Sequence, residues 1–176
     1  MKRTLGGIFG PAVTPYIGET EELDLPGFQA NVRAHISDGL AGVVLTGSTG
    51  EAALLTENER AALVSAARDE VPTDRWLIVG TGAESTRQCV ARCRMAMESG
   101  ADAVLVVAPH YYSNVMTESA LRAHYARVAD ESPLPMILYN LPASRKNAGN
   151  LRIVNVCTLS NISFLYDCSY MLYTDK

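Results

Sequence analysis

The sequence predicts an α/β fold in which strands and helices alternate around a parallel sheet. Two observations carry this. Short apolar runs beginning at Gly42, Trp76, Ala103 and Met136 recur at similar intervals, with longer amphipathic stretches between them. Within each run the residues are apolar and often β-branched, without polar alternation, as expected of strands buried on both faces. Strand followed by helix, repeated, implies right-handed crossovers and a sheet covered by helices.

The elements follow in order. Gly7-Ile8-Phe9-Gly10-Pro11-Ala12-Val13 reads as the first strand and leads into a polar turn through Glu19 and Glu22. Pro26 suits a first helical turn, and that helix runs through Phe28, Val32 and Ile36 to Gly39. After the strand Gly42–Thr46, Thr56-Glu57-Asn58-Glu59 has the spacing of a capping box before Ala61, Leu63 and Val64. The strand Trp76–Gly80 precedes a helix capped by Ser85 or Thr86 and stopped by Gly100. Spacing turns Cys89, Met95 and Met97 of that helix toward the core. Ala103–Val107 is the fourth strand. Thr117 and Glu118 open a helix through Leu121, Tyr125 and Val128, and Met136–Tyr139 is the fifth strand. An open doubly wound sheet and a closed (β/α)8 barrel both fit this pattern. A full barrel needs about 250 residues, so 176 residues fall short by about two βα units.

Composition excludes several classes. A 48% hydrophobic content supports a core and argues against disorder. With 15 Lys plus Arg against 19 Asp plus Glu, the formal charge is −4, which lacks the basic footprint of a nucleic-acid binder. No apolar run approaches the roughly 20 residues of a membrane helix. Met1-Lys2-Arg3-Thr4 leads straight into strand-like sequence, so a cytoplasmic location is expected. Cys89, Cys93, Cys157 and Cys168 lack zinc-like companions and read as free thiols rather than a disulfide framework. Lysine occurs only at positions 2, 146 and 176.

In α/β folds of either kind, ligands sit at the carboxyl ends of strands. Past the second strand stands Thr46-Gly47-Ser48-Thr49-Gly50-Glu51. Hydroxyls flanked by glycines leave backbone N–H groups free to meet a small anion, although an ordinary Gly/Ser/Thr turn has the same composition. It is no phosphate loop, because the Gly-Lys-Ser/Thr ending is absent. The fourth strand leads into Pro109-His110-Tyr111-Tyr112 and the fifth into Tyr139-Asn140-Leu141-Pro142. These phenols suit either proton transfer or a ring packed with its hydroxyl wet. His35 and His124 fall in helices, as surface or satisfied positions. His110 alone is near a strand end.

Gly47-Ser48-Thr49-Gly50-Glu51, Tyr111-Tyr112 and Tyr139-Asn140-Leu141-Pro142, in this order, resemble the dihydrodipicolinate synthase / N-acetylneuraminate lyase family over about residues 5–143. The stretches Gly82–Thr86 and Tyr125–Pro142 look closest to its 4-hydroxy-2-oxoglutarate aldolase branch. The resemblance implies a partial (β/α)8 TIM barrel over residues 1–143, with 144–176 a divergent tail. It also implies an aldolase of small 2-oxo acids such as pyruvate, a homo-oligomer, and no metal or organic cofactor. Ser48, Thr49 and Gly47 would hold the oxo-acid carboxylate. Tyr139 would transfer the proton, and Tyr112 would complete the relay across a dimer. The three hydroxyl-bearing loops are expected at one rim.

The chain departs from the family at one chemically decisive place. The family's aldolases join pyruvate to a lysine at the end of the sixth strand, a few places after an Asn-Ile pair, and few side chains substitute for that amine. Here Tyr166 follows Asn161-Ile162 where the lysine belongs. Ser144 also replaces the arginine that dihydrodipicolinate synthases carry after the strand-five tyrosine. The tail is either a degenerate sixth βα unit or the product of a shifted frame or a truncated gene. Three functions remain open: an aldolase of the 4-hydroxy-2-oxoglutarate type left inactive without its amine, a dihydrodipicolinate synthase-like condensation, or a non-catalytic fragment assembling with an intact homologue.

Overall fold

The computed structural model describes residues 5–112, 114–140 and 162–167. They fall into two compact units, the first running to Gly80 and including Met95–Ala103, the second made of Thr81–Arg94 and the residues from Val104 on.

In the first unit β1 (Phe9–Pro11) pairs in parallel with β2 (Gly42–Leu45), and β2 with β3 (Trp76–Gly80), so that Val43 lies between Gly10 and Leu77. The strand expected over Gly7–Val13 shortens to three residues. Gly42 is required by close approach, since a Cβ there would drive into the Trp76 carbonyl. Helices α1 (Leu25–Ser37) and α2 (Glu57–Glu70) pack on each other, α1 also on β2 and α2 on β3. Val43, Leu45, Leu63, Val64, Leu77 and Val79 are fully buried among them.

Local chemistry explains both helix starts. Pro26 lies in the first turn of α1, and Asp24 caps it by accepting from the Gly27 N–H at 2.9 Å. The Thr56 capping box is complete, with Thr56 Oγ1 accepting from the Glu59 N–H and the Glu59 carboxylate accepting from the Thr56 N–H at 2.7 Å. A side chain also replaces one backbone partner. The Leu77 N–H donates to Asp102 Oδ2 at 2.8 Å, and Arg68 Nη1 donates to the same oxygen at 3.1 Å.

In the second unit β4 (Ala103–Val107) pairs in parallel with β5 (Met136–Asn140), and β5 with β6 (Ile162–Asp167). Tyr139 stands opposite Val107 on one side and Tyr166 on the other. A strand therefore exists inside the segment read as a divergent tail. Helices α3 (Thr86–Glu98), whose residues from Met95 on belong to the first unit, and α4 (Glu118–Glu131) open as expected, with Ser85 Oγ accepting from the Gln88 N–H and Thr117 Oγ1 from the Ala120 N–H. Val104, Val106, Leu121, Tyr125, Met136 and Leu138 form its buried apolar set.

Cys89 and Cys93 are buried and free, and the Cys93 thiol lies 3.3 Å from Thr81 Oγ1. Met97 corrects the sequence reading. It is 42% exposed, because the buried stripe of α3 follows Cys89, Cys93 and Ala96 instead. Ser144, Lys2, Lys146, Lys176, Cys157 and Cys168 lie outside the described residues, so no lysine occurs among those described. No helix among them is long and apolar enough to cross a membrane.

Replacing Asp102 strands a backbone donor in a buried strand. Asp102→Ala is expected to lower unfolding free energy by about 2 kcal/mol in urea titration, the scale of one orphaned buried polar group. Asp102→Asn, which keeps an acceptor, should lose clearly less.

Candidate functional site

The loop after β2 is held at both ends by threonine hydroxyls. Thr46 is buried and donates Oγ1 to the Gly80 carbonyl at 2.8 Å. Thr14, also buried, donates to the Gly50 carbonyl at 2.8 Å. Within the loop, the Glu51 N–H bonds the Ser48 carbonyl at 3.1 Å and the Ala52 N–H bonds the Gly47 carbonyl at 3.2 Å. Ser48 and Thr49 are left exposed at its tip. No described residue accepts from the Ser48 or Thr49 N–H. Two hydroxyls and free backbone donors in one fixed turn suit an anion of carboxylate size. Nearby, burial first, and then Glu59, Glu51 and Glu21, raise the Tyr16 phenol above its ordinary range, keeping it protonated.

The second unit carries the phenols. Tyr111 and Tyr112 are exposed and meet edge to face, with ring centroids 4.9 Å apart. Tyr139 is half-buried near the end of β5. The Glu84 carboxylate accepts from the backbone N–H groups of His110 (3.2 Å) and Tyr111 (3.1 Å), and the His110 ring lies 3.3 Å away. One side chain thus fixes the loop that presents both tyrosines. No local pattern signals this role for Glu84, because its partners lie 26 and 27 residues away.

His124 is buried, with Nδ1 2.9 Å from Thr86 Oγ1 and Nε2 without a partner among the described residues. Burial lowers its pKa, and Glu84 offsets this in part. In the cysteine pair, the Cys89 thiol bonds Cys93, which lowers the Cys93 pKa and raises that of Cys89. Both are too enclosed to meet a substrate. Among the described residues no cluster of His, Cys, Asp or Glu is arranged to hold a metal.

Residues 4–167 match the model of the dihydrodipicolinate synthetase family. The chain belongs to that family. The match extends past residue 143, where the motif resemblance had ended, and through β6. Among similar proteins are a probable mitochondrial 4-hydroxy-2-oxoglutarate aldolase of Emericella nidulans (37% identical, 78% of this chain, 46% of that one). Another is 4-hydroxy-tetrahydrodipicolinate synthase 1 of Streptomyces coelicolor (39% identical, 93% of this chain, 53% of that one). The solved dihydrodipicolinate synthase of Acinetobacter baumannii, complexed with pyruvate, superposes with a TM-score of 0.86 at 32% identity, covering 94% of this chain and 56% of that one. The chain spans about half the length of the curated relatives it matches, so as a family member it is a partial (β/α)8 barrel.

Two outcomes test these arrangements. Because His124 is lowered in the fold relative to the unfolded chain, its contribution is fully present above about pH 6.5 and is lost as pH falls through the unfolded value toward the folded one. His124→Phe should therefore flatten part of the stability loss measured between pH 7 and 5. Glu84→Ala should speed hydrogen exchange at the His110 and Tyr111 amides by about tenfold, leaving the β5 amides unchanged.

Proposed function

We propose that this chain is an oxo-acid-binding member of the family of the 4-hydroxy-2-oxoglutarate aldolase type, whose reaction cleaves that acid to pyruvate and glyoxylate. Ser48 and Thr49 hold the carboxylate, with the Gly47 turn bringing their donors together. Tyr139 moves the proton at the reacting oxygen, and Tyr112 completes the relay from a second subunit of a homo-oligomer. The observation that carries the reading is the loop after β2, whose Gly47, Ser48 and Gly50 carbonyls are occupied within the protein while the Ser48 and Thr49 hydroxyls and N–H groups meet no partner among the described residues.

The covalent step is where this chain departs from the reaction. Imine formation needs a neutral amine to add to the keto carbon, giving a carbinolamine that then loses water. Tyr166 stands at the lysine's expected place, and a phenol forms no imine. Residues 1–176 as they stand bind the acid but do not cleave it. The Streptomyces match favours a condensation of the dihydrodipicolinate synthase kind as second reading, which Ser144 in place of an arginine disfavours.

Borohydride reduction in the presence of pyruvate, followed by intact-mass measurement, is expected to leave the chain unmodified. A stable adduct would overturn the assignment of inactivity. In calorimetry, Ser48→Ala combined with Thr49→Val should weaken pyruvate binding by about tenfold or more, the scale of a lost charge-assisted donor. Unchanged affinity would remove the loop from the site.

A further inference from the structure

Thr46 adopts a backbone that a threonine avoids. Its φ is +49°, a left-handed value that glycine or asparagine accepts readily and a β-branched residue does not. Glu51, at the other end of the same turn, has φ +52°. Two side-chain-bearing residues in this conformation bracket Gly47-Ser48-Thr49-Gly50. For the fold alone, glycine at position 46 would be easier. Strain of this kind persists only where surrounding contacts enforce it.

Those contacts are specific. The Thr46 hydroxyl donates to the Gly80 carbonyl at the end of β3. The fit is reciprocal, since a Cβ on Gly80 would collide with the Thr46 carbonyl. Thr46 is 5% exposed, whereas the two residues that follow Gly47 are open to solvent. Its hydroxyl is therefore unavailable to any ligand and acts only through the turn.

We propose that Thr46 is a positioning residue, whose clamp on the Gly80 carbonyl holds the strained turn that keeps the Ser48 and Thr49 donors set for a carboxylate. This rests on the reading that the loop binds an oxo acid. The clamp removes alternative backbone conformations before binding, so a ligand that needs both donors together meets them already ordered. Without the hydroxyl, the turn relaxes from positive φ and the donors separate.

The test uses the full chain, 15N-labelled, titrated with pyruvate, with amide shifts and relaxation read at Ser48 and Thr49. Thr46→Val keeps the branched shape and removes the hydroxyl. It should weaken pyruvate binding about tenfold and increase motion at both amides. Thr46→Ser, which keeps the hydroxyl, should stay within about twofold of the wild type. Should Thr46→Val not fold, Thr46→Gly accepts the backbone without a hydroxyl and carries the same expectation.

Wild-type affinity and unchanged amide motion in the hydroxyl-free variant would overturn the proposal, as would equal losses in the valine and serine variants. If the wild type leaves the Ser48 and Thr49 amides unshifted by pyruvate, the oxo-acid reading fails. The change in amide motion on losing the hydroxyl still decides whether Thr46 holds the turn.

Discussion

Parallel pairing of strands buried on both faces is the constraint on which the rest of the structure depends. Residues such as Val43, Leu77 and Val104 have no solvated side on which to carry polar chemistry. Because β1, β2 and β3 run the same way, the loops that follow them leave at one edge, where polar groups are free to gather. The same geometry explains the bonds that hold the loop after β2. Thr46 reaches the end of β3, and Thr14 reaches in from the segment after β1.

Much of the fold was readable in the sequence because the signals were local. The Thr56 capping box and the Thr117 cap are patterns over three residues, and β2 through β5 are continuous apolar runs. The shortfalls were of other kinds. Pro26 stands in the first turn of α1 as its sequence suggests, but the Asp24 side chain that caps the helix carries no comparable signal. Met97 faces solvent because the buried stripe of α3 is narrower than its apolar spacing suggests. In the tail, Ile162–Asp167 pairs with β5 inside the stretch read as divergent, and the family match runs through it.

The candidate site was readable as composition but not as mechanics. Ser48 and Thr49 stood out as hydroxyls between glycines. The parts that hold them, Thr46, Thr14 and Gly80, are tied by bonds spanning 34 and 36 residues, which no local pattern announces. A β-branched residue at positive φ is also contrary to every propensity rule, so nothing in the sequence pointed to Thr46. Glu84 is the counterpart in the second unit, an exposed carboxylate that orders the loop carrying Tyr111 and Tyr112.

In the proposed reading, recognition rests on Ser48 and Thr49, whereas bond-making would need an amine at the position that Tyr166 holds. Crystals of the protein soaked with pyruvate separate the two most directly. Carboxylate oxygens are expected within hydrogen-bonding distance of Ser48 and Thr49, with the keto carbon unattached to protein. Pyruvate seated away from that loop, or joined covalently to a side-chain nitrogen, would contradict it.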